Sequence, residues 1–449
     1  PGHFLEIAQG RFRLVDHAPE LGVRTPIDRF FTSLAEEYGR NAFAVVLSGT
    51  GSDGTTGVRA IKSHGGFAIV QESTSARFAA MPENASATGL VDLVLRPADM
   101  PRRIREILDH RVSLESESRQ SLLDTVSAHL DSVLGKLEDG NRASFSGYKP
   151  GTLVRRIARR MALLRKRSVE DYLLHLEHHP DERDLLANDF LISVTEFFRD
   201  PEAFATLQTR ALGKLLDKDQ ESFRIWVPGC ATGEEVYSLA ILVTELMEER
   251  DDRRPWKIFG TDIDLDALRT ARSGRFSSSS IEGVSQQRLD RFFVHENDHW
   301  QIVSRLREMC VFAPQNLLQD PPFSRLDLIS CRNVMIYLDA GSQGQLVPRF
   351  HYALNPGGFL FLGPSETLGK NENLFSTVDR SARLFLRDDT RSASYSAVSG
   401  STRRPPPATP IPPGHATLAG PFKSDTLETQ TEQLFLQRLA PPFATVTPP

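Results

Sequence analysis

The feature that most restricts how this chain can fold is Val227-Pro228-Gly229-Cys230-Ala231-Thr232-Gly233-Glu234-Glu235, a glycine-punctuated turn between a buried-type run at 223–227 and a helix starting near Val236. A strand running into such a turn and then a helix belongs to an open α/β sheet, whose ligands lie beyond the carboxyl ends of the strands. Gly229 and Gly233 remove side-chain bulk, and Thr232 or a freed N–H can bond a carboxylate. Taken alone, the turn fits a nucleotide-like ligand and a mere tight turn equally well.

Further strand ends narrow the choice. The runs 257–260, 326–330 and 358–362 read as buried strands separated by helical stretches. Gly260-Thr261-Asp262 puts an acid at the end of the second strand, where it can accept two bonds from ribose hydroxyls. A dinucleotide has the same need, but the missing Gly-x-Gly-x-x-Gly argues against one. Ala313-Pro314-Gln315-Asn316-Leu317-Leu318 offers an amide for an adenine edge, and Cys331-Arg332-Asn333-Val334-Met335-Ile336-Tyr337 closes another strand in polar groups. Four such strand ends in one domain make a purely structural reading improbable, although a buried Asn is more often a satisfied loop-former.

With 449 residues the chain is long enough for about three domains of ~150 residues. A parallel α/β pattern also occupies the amino-terminal part: strands at 42–50, 67–71 and 91–95, a loop at Gly51-Ser52-Asp53-Gly54, and a helix from about Met100. Leu122, Val126, Leu130, Leu134 and Leu137 form a stripe that predicts a connector helix, paired in a coiled coil. Asp139-Gly140-Asn141 breaks it, and 150–190 reads as all-helical. Beyond about 390 the chain turns Ser-, Pro- and Thr-rich, which is linker composition.

A net charge of -5 gives no global attraction to nucleic acid or anionic membrane, so any basic surface is local. One lies at 149–167, where Arg155, Arg156, Arg159, Arg160, Arg165, Lys166 and Arg167 occur without an acid. The bland reading is a solvated helix face, but such faces usually mix signs, and a binding surface is expected. The three cysteines show no zinc or redox spacing, which suggests a reducing cytoplasm. No apolar run approaches the ~18 residues that span a bilayer. The start at Pro1 rather than Met suggests a fragment.

From about 145 to 390 the chain resembles the chemotaxis protein-glutamate methyltransferases of the CheR type. The resemblance rests on Cys331–Tyr337, on Thr232-Gly233-Glu234-Glu235-Val236-Tyr237-Ser238 and on Ser193-Val194-Thr195-Glu196-Phe197-Phe198-Arg199. It implies S-adenosylmethionine as cofactor, held by Ser193, Thr195, Arg199, Gly229, Glu235, Asp262, Asn316, Leu317, Arg332 and Asn333. Ser193 stands where the family commonly has Asn. Arg199, Arg332 and Tyr337 are expected to orient cofactor and acceptor, with no general base, because a glutamate of pKa ~4.3 is already ionised near neutrality. In the family the basic helix faces the acidic helical bundle of a chemoreceptor, so Arg155, Arg156, Arg159 and Arg160 are expected to bind substrate.

Some members also grip a receptor tail peptide with a small three-stranded insertion. The matching stretch, 293–301, is short and lacks a Gly pair, so tethering is expected to be absent or weak. Residues 1–109 resemble the carboxyl-terminal half of a CheB-type methylesterase domain through Leu47–Gly54 and Phe78-Ala79-Ala80-Met81-Pro82. The resemblance implies that Asp53 is the acid of a Ser-His-Asp triad whose serine and histidine are absent from the chain. His3, His17 and His64 fall outside the pattern, and this lobe is expected to be the least stable part.

The expected fold is therefore α/β: a Rossmann-like methyltransferase domain (216–392) with an all-helical subdomain (145–215), preceded by a partial doubly wound methylesterase domain (1–109) and a helical linker (110–144). Residues 393–449 are read as a linker leading to a PAS-like sensor, as in CheB/CheR/PAS fusions. The expected protein is cytoplasmic and meets the membrane only through a receptor. Two rivals are a signalling scaffold that binds cofactor without turnover and a nucleic-acid methyltransferase. Intact Arg199, Asp262, Arg332 and Tyr337 weigh against the first. The lack of an Asn/Asp-Pro-Pro-Tyr motif and of stacking aromatics along the basic helix weighs against the second.

Overall fold

Runs of Val, Ile, Leu and Phe with no polar face have nowhere to sit but between layers, and in this protein they become the parallel strands of two sheets. The computed structural model describes residues 3–16, 25–113, 118–138, 144–191, 195–278, 280–281, 283–296 and 299–390, all within the unit Pro1–Val398. Ser193, His17, the break at 139–141, and the linker and PAS-like readings beyond 390 lie outside the described residues.

The amino-terminal lobe comprises β1 (His3–Ala8), β2 (Arg11–Asp16), α1 (Pro26–Tyr38), β3 (Phe43–Val46), α2 (Thr55–Ser63), β4 (Phe67–Gln71), α3 (Ala80–Ala87), β5 (Leu93–Leu95) and α4 (Met100–Ser113). Strands β3, β4 and β5 form a parallel sheet in that order, with β4 buried at every position. The β1–β2 hairpin escapes the sequence reading. Its two-residue turn is Gln9-Gly10, both at positive φ (53° and 69°), as a primed hairpin turn requires, but Gln is an uncommon residue there.

The helical subdomain contains α5 (Ser118–Ala128), α6 (Leu130–Glu138), α7 (Pro150–Leu163), α8 (Val169–His178) and α9 (Pro180–Phe190). The stripe that suggested a coiled-coil connector belongs to its core. Val126, Leu130, Leu134 and Leu137 are buried with Leu153, Ile157, Met161 and Tyr172, and Leu122 packs against them. Partners on α7 and α8 satisfy the stripe, so no second coil strand is needed.

The chain then runs through α10 (Pro201–Leu207), a π-helical turn and α11 (Gly213–Leu216) into β6 (Phe223–Pro228), α12 (Glu234–Glu249), β7 (Trp256–Asp262), α13 (Leu265–Ser273), β8 (Arg275–Ser277), α14 (Gln286–Phe292), β9 (Phe293–Glu296), β10 (His299–Ile302), α15 (Ser304–Met309), β11 (Cys310–Pro314), β12 (Leu326–Cys331), α16 (Ala340–Ala353), β13 (Leu354–Leu362), β14 (Phe375–Asp379) and β15 (Leu384–Arg387). Seven strands form one sheet in the order β11-β7-β6-β12-β13-β15-β14, parallel except for the last two. The parallel part repeats the 3-2-1-4-5 winding of nucleotide-binding sheets, with its switch point between β6 and β12. The expected Rossmann-like domain is what folds. A separate antiparallel sheet, β8-β10-β9, contains the 293–301 stretch, so a three-stranded insertion is present.

The basic helix departs from expectation. Of Arg155, Arg156, Arg159 and Arg160, only Arg155 is exposed. Arg159 donates to Asp189 (2.9 Å) and to the carbonyl of Gly66 (2.7 Å), pairs with Asp92, and lies over the Phe67 ring. Lys62 of α2 bonds the same two acids, Asp92 at 2.6 Å and Asp189 at 3.0 Å. Arg160 is bound by Glu182, which also accepts from Tyr172 (2.9 Å), and Arg156 donates to the carbonyl of Asp189. The neutralising acids come from distant segments, which is why a local charge run could not reveal them. Two lobes are thus joined by a buried group of two cations and two anions, beside an apolar contact of Phe67, Ile107 and Leu163.

Burial alone would raise the pKa of Asp189, but Lys62, Arg159 and Arg160 outweigh it and hold the carboxyl well below its usual range. A depressed carboxyl contributes stability above its unfolded pKa of ~3.9 and loses it as pH falls below that value. Replacing Asp189 by Ala leaves buried cations short of a partner, with an expected loss of about 3–5 kcal/mol in urea unfolding at pH 7. The difference from wild type should shrink in acid below pH ~4.

Candidate cofactor cleft and active site

The site lies at the switch point, where β6 and β12 diverge. Gly229, at φ 67°, lets the chain leave β6 sharply, and a Cβ there would stand 2.4 Å from Cγ2 of Val334. The first glycine turn is therefore shaped by the loop after β12 as well as by any ligand. Cys230 N–H donates to the carbonyl of Thr261 (3.0 Å), and Ala231 N–H to Oδ2 of Asp262 (2.8 Å). Oδ1 of Asp262 accepts from Ile263 (2.7 Å) and Asp264 (2.9 Å), and its carbonyl accepts from Gln315 N–H (3.0 Å). One residue thus gathers the ends of β6, β7 and β11. Burial pushes the Asp262 carboxyl up to about 6, despite the N–H bonds that pull it down.

Behind the cleft lies a second polar centre. Arg332, buried after β12, pairs with Asp200 (2.6 Å) and Glu235 (3.4 Å) and donates to the carbonyl of Arg199 (3.0 Å). Its guanidinium lies over Phe361 (4.7 Å) and Phe204 (5.2 Å). Glu235 also accepts from Ser330, and burial raises its pKa against the pull of Arg332. Arg332 was expected to orient a ligand or acceptor carboxylate directly. Both of its terminal nitrogens are engaged within the protein and tie the 199–200 turn to α12, while its Nε is buried without a partner and the residue still lines the cleft.

Glu366 is the residue the sequence reading missed. Oε1 accepts the N–H groups of Val334 (2.9 Å) and Met335 (2.8 Å), and Oε2 those of Asn333 (3.0 Å) and Gly363 (2.7 Å). Asn333 sits at φ 60°, an unusual conformation for a residue with a side chain, and this carboxylate holds it there. Burial pushes the Glu366 carboxyl up against those four bonds. A lone Glu after a strand carries no local signal, because three of its four partners lie more than thirty residues upstream.

All the residues expected to hold the cofactor or orient the acceptor, within the described chain, line one cleft: Thr195, Arg199, Gly229, Glu235, Asp262, Asn316, Leu317, Arg332, Asn333 and Tyr337. Tyr148 also lines it, brought there by bonds from Lys149 N–H to the Tyr337 carbonyl (2.8 Å) and from Asp339 N–H to the Gly147 carbonyl (3.0 Å). Two expectations change in detail. The Asn316 side-chain oxygen accepts from Leu318 N–H (3.0 Å) and closes its own turn, while Oε1 of neighbouring Gln315 is buried without a partner. Thr232 donates to Glu234. The cleft fits a nucleoside ligand: Asp262 has used three of about four acceptor positions, and Gln315 retains a buried acceptor.

In the amino-terminal lobe both Asp53 oxygens accept backbone N–H groups at the start of α1, from Ile27 (3.0 Å) and Asp28 (2.9 Å). Burial raises its pKa against those bonds. Among the described residues no histidine bonds it, so it acts there as a remote helix cap.

The family model described as CheR methyltransferase, SAM binding domain, matches residues 193–384. The CheR all-alpha domain matches 130–191, and the CheB methylesterase matches 1–104. An uncharacterized 104.1 kDa protein of Rhodobacter capsulatus is 37% identical over 88% of the chain, which spans only 45% of that relative's length. Chemotaxis protein methyltransferase 2 of Pseudomonas aeruginosa is 34% identical, over 52% of this chain and 85% of that one. The chemotaxis protein methyltransferase of Escherichia coli is 32% identical, over 54% and 85%.

Replacing Glu366 by Ala strands four N–H groups around Asn333. The expected result is a stability loss of about 3 kcal/mol or more by chemical denaturation. Wild-type stability in that variant would remove the clamp from the account.

Proposed function

Because the chain belongs to the chemotaxis protein methyltransferase family, we propose that this cleft binds S-adenosylmethionine and that the chain esterifies glutamate side chains of methyl-accepting chemoreceptors. The observation that carries the reading is Asp262, buried at the end of β7 and facing a cleft lined by Thr195, Arg199, Asn316 and Tyr337. When bound, the cofactor supplies an electrophilic methyl group on a sulfonium. Asp262 has one acceptor position left for a ribose hydroxyl, Gln315 and Asn316 face the base, and the Gly229 turn gives the amino-acid end close access to backbone.

The acceptor carboxylate is ionised at neutral pH, so the protein's task is to align and desolvate it rather than remove a proton. Arg199 and Tyr337, both half-buried in the cleft wall, perform that alignment, with Arg332 setting the Arg199 turn from behind. The amino-terminal lobe belongs to a methylesterase unit in which Asp53 orients a histidine and which removes the same esters. The acceptor lies on the cytoplasmic side of a membrane that the chain meets only through the receptor. No helix among the described residues is long and apolar enough to cross that membrane.

A receptor incubated with chain and cofactor should gain a methyl mass on glutamate residues in peptide mass spectra. Methylation confined to lysine or to nucleic acid would overturn the reading. Cofactor affinity should follow Asp262. The ionised form accepts a ribose hydroxyl, so binding weakens as pH falls through about 6. Calorimetry should give roughly tenfold weaker binding at pH 5 than at pH 8, one decade per pH unit below the pKa, with a flat profile for Asp262→Asn. A wild-type profile in that variant would remove Asp262 from the site. Without ligand the same raised pKa makes Asp262 a cost to folding that grows between pH ~4 and ~6.

A further inference from the structure

The segment 144–149, which leads into α7, is stitched to the loops that follow β11 and β12. Tyr148 and Leu338 form an antiparallel bridge, flanked by the two backbone bonds that join 147–149 to 337–339. On its other side the Ser144 carbonyl accepts from Nδ2 of Asn316 (3.5 Å). The fit demands glycine at 147, since a Cβ there would stand 2.3 Å from Cδ1 of Leu318 and 2.6 Å from Oγ of Ser342. The helical subdomain thus reaches across the rim of the cofactor cleft.

This stitching fixes where Tyr148 sits. Its ring meets Phe145 edge to face, with centroids 5.3 Å apart, and packs against two cores at once. One is the core of the helical subdomain, which Ile263 also joins; the other lies under β12 and is joined by Leu317 and Leu318. Ile263 directly follows Asp262, and Leu317 belongs to the loop after β11, so the phenol stands over the cleft where those two loops meet. Among the described residues the Tyr148 hydroxyl has no hydrogen-bond partner. Burial, with Asp262 and Tyr337 nearby, holds the phenol well above its usual range, so it remains a donor across neutral pH.

We propose that Tyr148 is a cofactor contact: its hydroxyl bonds the ribose hydroxyl that Asp262 does not take, so that the helical subdomain completes the ribose site. The proposal rests on the S-adenosylmethionine reading above and adds to it a residue from outside the Rossmann-like sheet. A ribose presents two neighbouring hydroxyls, whereas Asp262 keeps one acceptor position. A phenol both donates and accepts, so it can serve a sugar hydroxyl in either sense. Gln315 and Asn316 face the base, and Arg199 and Tyr337 face the acceptor, which leaves the ribose as the part of the ligand short of a partner.

The test measures binding of S-adenosylhomocysteine and of its 2′-deoxy and 3′-deoxy derivatives to the full chain by calorimetry. Tyr148→Phe keeps the ring and its packing and removes only the hydroxyl. It should weaken S-adenosylhomocysteine about fivefold, the size of one neutral hydrogen bond. In wild type both deoxy derivatives should bind more weakly than the parent. In Tyr148→Phe the penalty for one of them should vanish to within twofold while the penalty for the other persists. Wild-type affinity for the parent in that variant, or both penalties persisting in full, would overturn the proposal. A raised KM for receptor at unchanged S-adenosylhomocysteine affinity would overturn it too, by assigning the phenol to the acceptor. A wild-type chain that binds none of these ligands removes instead the functional reading beneath it.

Discussion

Arg332 is the group on which the methyltransferase fold is organised. A guanidinium cannot shed its charge, so burying one at the end of a central strand demands acids from neighbouring elements. Glu235 at the start of α12 and Asp200 at the start of α10 answer that demand, and Phe204 and Phe361 cover the planar faces. The loop carrying Arg199 and the helix after the glycine turn are thereby set relative to β12. With Glu366 fixing Asn333 and Val334, and Val334 filling the space that Gly229 leaves, the cleft wall is determined before any ligand arrives.

The same economy of charge governs the joint between lobes. Two acids, Asp92 from the amino-terminal lobe and Asp189 from α9, share Lys62 and Arg159, so each lobe supplies one cation and one anion. Such a centre is costly to break and specific in what it accepts, since any slip leaves a buried charge without its partner. It therefore sets where the amino-terminal lobe stands beside α7.

Much of this was legible in the sequence. The strand-turn-helix pattern fixed the second sheet and its switch point, because buried strands and glycine turns are local signals. Asp262, Asn333 and Tyr337 were legible because they follow buried runs, whereas Thr195 and Arg199 came from the family resemblance; all five line one cleft. What escaped depended on distance. Glu366 acts on residues far upstream, the acids that quench the basic helix come from two separate segments, the Asp92 turn and α9, and the Leu122–Leu137 stripe found its partners on α7 and α8. A charge run or a heptad stripe states a need; only the fold states what meets it.

The central claim is that a methyl group reaches a carboxyl oxygen of a receptor glutamate. The measurement that bears on it most directly is alkaline treatment of receptor-containing membranes after incubation with the chain and methyl-labelled S-adenosylmethionine. The account predicts label released as volatile methanol, as a carboxyl ester must give. Label that survives alkali would mean transfer to nitrogen and would contradict the account.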